Sequence, residues 1–299
     1  MTVGFLTLAF GRPFYREMAR SLVLSARKRG LTLPFAVVTD STDKAFLSLF
    51  DVVVPYRKEF GRGVEQKLHL DAYAPFDTTV FVDADCLFFK SADAVAAYYA
   101  DKTGFVVRSN GYIERGEKKY YALRDVGLFL DVQGIERFRR FNSGLFSFDR
   151  SAAARAVFEE ARAIFDARER SGLKEFKTAA VADEPVFAAA LERCRAAVFP
   201  EDGTFMTVMA DDARSIGADV SAVVHFNIFQ QDSFVYARER WLLRFGDLPC
   251  GACLADHTAR VESACRNAAA QLREQWLTKI VFPLWGLFRK VFPKKRAHV

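Results

Sequence analysis

Asp83 and Asp85 close the apolar run Thr79-Val80-Phe81-Val82, and carboxylates at that spacing suit a divalent cation. Two like charges this near each other are costly unless something positive lies between them. In an extended strand side chains at i and i+2 project to the same side, so both acids can face one ion. Carboxylate oxygens favour hard cations such as magnesium or manganese, which also take phosphate oxygens and water. An ion of that kind neutralises a diphosphate as it departs. The competing reading is that the acids merely end a strand and face water.

His225 is also metal-competent, at the edge of the short apolar run Val223-Val224-His225-Phe226. A core histidine bonded to backbone is the alternative there. Cys250, Cys253, His257 and Cys265 have the residue types of a zinc site, but the second pair lacks tight C-x-x-C spacing, so ordinary reduced cysteines are expected. All five cysteines, at 86, 194, 250, 253 and 265, are sparse and odd in number, which fits reduced thiols better than a disulfide framework.

The elements that must position these groups read as α/β. Apolar residues 3–10 form a buried strand, Gly11-Arg12-Pro13 a turn, and 13–30 a helix with Met18, Leu22, Leu24 and Ala26 inward. Apolar runs 35–38 and 52–54 are the next strands, so strand, helix, strand opens a parallel sheet. Residues 65–73 have helical spacing. The uninterrupted hydrophobicity before Asp83 argues for burial on both faces of a sheet, and open α/β folds place ligands at the carboxyl ends of such strands. Residues 110–133 lack periodicity and read as a loop with one short helix. Strand 145–148 follows, then a helix capped by Ser151, another beginning at Asp183-Glu184-Pro185, and a late strand at 223–226.

Taken in order, Lys67 on its helix, the strand ending in Asp83-Ala84-Asp85, Phe141-Asn142-Ser143-Gly144, Asp183-Glu184-Pro185 and Val224-His225-Phe226 resemble the glycosyltransferase family that contains glycogenin and the bacterial lipopolysaccharide galactosyltransferases. The likeness spans about residues 3–227. It implies a GT-A-like, mixed and mainly parallel sheet, a nucleotide-diphospho-sugar donor, Mn2+ or Mg2+, and retention at the anomeric carbon. On that resemblance Asp83, Asp85 and His225 are the metal ligands, and Lys67 approaches the donor diphosphate. The strand end Thr7, Ala9 and Phe10, with Asp40, borders the nucleoside. Asn142 holds the sugar, and Asp183 or Glu184 lies near the anomeric carbon or orients the acceptor. Taken singly, Lys67 reads as solvent-facing, Asn142 as turn chemistry and Asp183 as a helix cap. Where the family often carries glutamine after the aspartate, this chain has Glu184.

The formal charge of +6 sits in residues 271–299, which hold seven basic residues and one acidic, while 1–270 is balanced at 36 of each. A neutral body argues against nucleic acid as partner. In the tail, Ile280, Val281, Leu284, Trp285, Leu287, Phe288, Val291 and Phe292 share one helical face and Lys279, Arg289 and Lys290 the other. This predicts an amphipathic helix over about 272–296 that lies on an anionic membrane surface, with a final core helix as the alternative. The expected organisation is a transferase domain at 1–245 and an extension at 246–299. With no basic segment before residues 3–10 and no cleavage site after them, the expected location is cytoplasmic, peripheral on the inner face of the membrane. The acceptor expected there is a cell-envelope glycan or glycolipid. The rival functions are a sugar nucleotidyltransferase, disfavoured by the short, glycine-poor Phe10-Gly11-Arg12-Pro13, and a non-catalytic membrane adaptor.

Overall fold

The computed structural model describes residues 2–117, 120–176, 181–201, 203, 205–208, 220–226, 236, 239–240 and 243. The tail helix and the group Cys250, Cys253, His257 and Cys265 lie outside the described residues.

In chain order, β1 (Val3–Leu8) leads into α1 (Pro13–Lys28), β2 (Phe35–Thr39), the short α2 (Lys44–Leu47) and β3 (Val52–Pro55). The 3-10 stretch Gly63–His69 runs into α3 (Leu70–Tyr73), then β4 (Thr78–Val82), β5 (Cys86–Phe88), α4 (Ala92–Ala100) and β6 (Phe105–Ser109). β7 (Tyr112–Glu114), α5 (Val126–Gln133) and β8 (Arg137–Arg139) form the middle. β9 (Leu145–Asp149), α6 (Ala152–Asp166), α7 (Asp183–Arg193), β10 (Val198–Pro200), β11 (Met206–Val208) and β12 (Val223–His225) complete the set.

Among the described residues the main sheet has seven strands in the order β10-β6-β9-β4-β1-β2-β3. Only β9 runs against the others, pairing antiparallel with both β4 and β6. The sheet is therefore mixed and mainly parallel, with helices on both faces. Alternation along the strands divides the core. Phe5, Val80 and Val82 meet Met18, Leu22 and Ala26 of α1 and Val95 and Tyr99 of α4 on one side. Leu6, Phe81, Phe146 and Phe148 meet Phe158 of α6 and Phe187 of α7 on the other. Each phenylalanine buried in this way contributes about 2 kcal/mol of transfer free energy. In α1, Met18, Leu22 and Ala26 are buried as expected, whereas Val23 takes an inward place and Leu24 is only half-buried.

Two sequence expectations change. The strand expected to end in Asp83-Ala84-Asp85 stops at Val82, and a second strand, β5, follows a turn. Asp83 extends the β4–β9 pairing with its N–H to the Gly144 carbonyl (2.9 Å), and the Cys86 N–H to the Asp83 carbonyl (3.0 Å) then closes a turn. Aspartate favours such turns, and the chain leaves the main sheet there. β5 joins a separate sheet, β11-β12-β5, in which Cys86 is opposite His225. The region 110–133, expected as loop and helix, contains α5 but also β7, which pairs antiparallel with β8. Its strands are three residues each, too short for periodicity to reveal.

Candidate active site

The turn after β4 aims its two aspartates at different partners. Lys67, on the 3-10 stretch below the sheet's carboxyl edge, is almost fully buried. Its Nζ lies 2.8 Å from Asp83 Oδ2, 3.1 Å from Asp183 Oδ2 and 3.5 Å from Ser143 Oγ. Burial works against its charge, but Asp183 and Asp83 outweigh that and hold the ammonium well above the ordinary lysine range. Lys67 is thus not a solvent-facing residue of a short helix.

Asp85 turns instead to His225, whose Nε2 lies 3.2 Å from Asp85 Oδ1 and 4.0 Å from Asp83 Oδ2. The register of β12 against β5 and the Phe226 N–H to the Asp85 carbonyl (3.1 Å) set this approach. The other ring nitrogen, Nδ1, is 2.9 Å from Asn142 Oδ1. Burial opposes protonation of the imidazole, yet Asp85, with Asp83 behind it, raises its pKa. The Asp83 carboxyl is raised too, by burial first and then by Asp85, against the pull of Lys67.

Asp183 opens α7, but the cap residue is Ala182 and no side chain caps the helix. The reading of Asp183 as a cap is therefore overturned: its carboxylate is committed to Lys67. Glu184 accepts the Ser143 N–H at 3.4 Å, and burial raises its carboxyl pKa. Tyr120, whose phenol is pushed up by burial and then by Glu184, extends this side of the site.

The structure thus gathers Lys67, Asp83, Asp85, Asn142, Asp183, Glu184 and His225. The residues at the ends of β1 and β2 form a second group. Thr7 is fully buried, and its hydroxyl has no hydrogen-bond partner among the described residues. Ala9 is buried and its carbonyl accepts from Thr39 Oγ1 at 2.6 Å. Phe10 stacks on Tyr56 with centroids 4.6 Å apart, and Asp40 accepts the Gly11 N–H at 3.1 Å.

The donor set suits a divalent cation. Ligand atoms of Asp85, Cys86 and His225 lie within 4.8 Å of one another. The sulfur is the least suitable of them. Cys86 is fully buried, its thiol is pushed well up by burial and then by Asp85, and its Sγ faces the Gly144 carbonyl at 3.8 Å. A metal-bound cysteine has to be a thiolate. Carboxylate oxygen and imidazole nitrogen are the donors this environment favours, and the cluster of Asp83, Asp85, Asp183 and Glu184 with Lys67 and His225 leaves negative charge for a cation to offset.

Ser143 and Gly144 are contributors whose parts the sequence reading did not assign. Both sit in the Asn-Ser-Gly triplet, so the signal lay in a glycine two residues after an asparagine.

No family model matches the sequence, and no curated protein does either. Solved structures do share its fold. The galactosyltransferase LgtC, in complex with donor and acceptor sugar analogues, superposes with a TM-score of 0.53 at 12% identity over 84% of this chain and 98% of its own. The bifunctional glycosyltransferase WbbM gives 0.53 at 11% identity, over 76% of this chain and 46% of its own. An active-site mutant of LgtC, glutamine to glutamate, gives 0.50 at 13% identity over 88% and 96%. The described sheet, mixed and mainly parallel, thus has the GT-A-like fold of these solved structures.

Proposed function

We propose that this protein is a glycosyltransferase that moves a sugar from a nucleoside-diphosphate donor, a UDP-sugar by our reading, to an acceptor hydroxyl, with retention at the anomeric carbon. The observation that carries the proposal is the cluster at the end of β4. Asp83 and Asp183 pair with one buried lysine whose charge also reaches Glu184, and an imidazole stands 3.2 Å from Asp85 and 4.0 Å from Asp83.

Asp85 and His225, with Asp83 beside them, would hold Mn2+ or Mg2+, which when bound supplies positive charge to the leaving diphosphate. Lys67 keeps Asp83 and Asp183 in place and brings a second positive charge to the same face. In the transfer, the acceptor oxygen bonds to the anomeric carbon as the carbon–oxygen bond to the diphosphate breaks, and the hydroxyl proton passes to the departing nucleoside diphosphate. In this reading Asp183 or Glu184, at the first turn of α7, lies near the anomeric carbon or orients the acceptor. Thr7, Ala9, Phe10 and Asp40 border the nucleoside in this reading, and Asn142 faces the sugar. LgtC's bound donor and acceptor analogues, on the same fold, support it.

The proposal extends to a transferase domain at 1–245 and an extension at 246–299 that meets an anionic membrane from the cytoplasmic side. A lipid-linked envelope glycan is the acceptor that arrangement serves. No helix among the described residues is long and apolar enough to cross a membrane. Calorimetry with manganese and uridine diphosphate tests the core of the proposal: wild-type protein gives metal-dependent heat and Asp83→Asn does not. Absence of heat with the wild type would remove the transferase reading. Deleting 271–299 should release the protein from phosphatidylglycerol vesicles; undiminished co-sedimentation would remove the anchor.

A further inference from the structure

The hydrogen bonds around Asn142 fix more than a turn. Its Oδ1 accepts the Gly144 N–H at 2.8 Å, the i to i+2 bond of an Asx turn. A backbone N–H can only donate, so the atom facing it is the amide oxygen, which settles the orientation of the Asn142 carboxamide. The same oxygen is 2.9 Å from His225 Nδ1. An oxygen of this kind only accepts, so Nδ1 carries the hydrogen. The lone pair of a neutral imidazole is then left on Nε2, the nitrogen beside Asp85 and Asp83.

Gly144 completes the arrangement by what it lacks. A Cβ at this position would stand 2.8 Å from Asn142 Oδ1 and 2.9 Å from His225 Nδ1, closer than real Cβ atoms approach. Asn142, Gly144 and the ring thus interlock in a site where His225 is 8% exposed, and water has little access to compete for Nδ1.

We infer that Asn142 is a positioning residue for His225, locking the imidazole in the Nδ1–H tautomer so that Nε2 is presented to a divalent cation. The inference rests on the metal-binding reading above and adds a role to the sugar contact expected of Asn142. Groups that hold the far nitrogen of a ligating histidine set its ring orientation, and their removal typically costs about 10- to 100-fold in metal affinity.

Two measurements test it. Nitrogen-15 NMR of the metal-free protein at alkaline pH reports the tautomer directly: His225 should be Nδ1–H in wild type and in Asn142→Asp, which keeps an accepting oxygen, and a tautomer mixture in Asn142→Ala. Titration with manganese alone should show Asn142→Ala weakened about tenfold or more, with Asn142→Asp close to wild type and all three melting within a few degrees of one another. An Nε2–H ring in the wild type, or wild-type manganese affinity in Asn142→Ala while Asp85→Asn is impaired, overturns the inference. If Asp85→Asn and His225→Ala bind manganese as well as wild type, the metal reading fails instead, and the tautomer signal still decides for or against Asn142.

Discussion

Lys67 and Asp183 meet 3.1 Å apart, a buried ion pair that ties the 3-10 stretch before α3 to the first residue of α7. Asp83 shares the same ammonium at 2.8 Å, so one cation holds the metal-side turn and the helix together. Removing one member of such a group leaves the others buried and uncompensated, at a cost of about 3–5 kcal/mol. Lys67→Met should therefore lower the denaturation midpoint markedly in metal-free protein. Added manganese should recover part of the loss, because a second cation then answers Asp83. Chemical denaturation with and without the metal checks both; an unchanged midpoint would show that the pair contributes nothing to the fold.

Asp85 predicts the opposite pattern. It adds repulsion to Asp83 and faces the His225 imidazole at 3.2 Å. Asp85→Asn relieves that repulsion while removing an oxygen donor. Thermal melting should be within about 1 kcal/mol of wild type, as for most substitutions that neither empty a core nor strand a charge. Manganese binding and donor turnover should both collapse. Retained turnover would take the cation out of the proposed mechanism.

Much of this site was legible because its parts occur in short, typed clusters. Asp83-Ala84-Asp85 and His225 were singled out by residue type and Asp183-Glu184 by the family resemblance, and the fold brings their side chains together. The geometry was less legible. An extended strand through Asp85 would put both aspartates on one side; the turn instead gives Asp83 to Lys67 and Asp85 to His225, with both carboxylates within 4.0 Å of His225 Nε2. That turn depends on the Gly144 carbonyl and on β12, contributed from far along the chain, and no local period encodes them. Likewise Lys67 reads locally as a surface residue; only the convergence of Asp83 and Asp183 explains a buried ammonium. The central strands β1, β2 and β4 were clear from continuous apolar runs, while β7, β8, β10 and β11, at three residues each, carry too little pattern to find.

The pH response follows from His225. Burial opposes its protonation, but Asp85 and Asp83 raise its pKa above the ordinary value of about 6.5. In metal-free protein the folded state thus holds this proton more tightly than the unfolded chain does. That contribution to stability is fully present below about pH 6.5 and is lost as pH rises through the folded-state pKa. Metal binding runs the other way, since Nε2 must be unprotonated to ligate. Manganese affinity should fall as pH drops through the same raised pKa, with one proton released per ion bound below it. Calorimetry in buffers of different ionisation enthalpy measures that proton count; a value of zero below the folded-state pKa would remove His225 from the ligand set.

Gly144→Ala probes the same histidine by volume rather than charge. The added methyl would sit 2.8 Å from Asn142 Oδ1 and 2.9 Å from His225 Nδ1, so the amide or the ring has to move. Overpacking of a buried site costs about 1–3 kcal/mol, and here the strain falls on the pair that aims Nε2. The expected result is a moderate loss of stability joined to a larger loss of manganese affinity. If space is what matters, His225→Ala should suppress most of the stability defect when combined with Gly144→Ala, because the deleted ring vacates the place the methyl needs. A double-mutant cycle on the denaturation midpoint decides the point: an additive result would mean the methyl is accommodated elsewhere and that the glycine is not there to admit the imidazole.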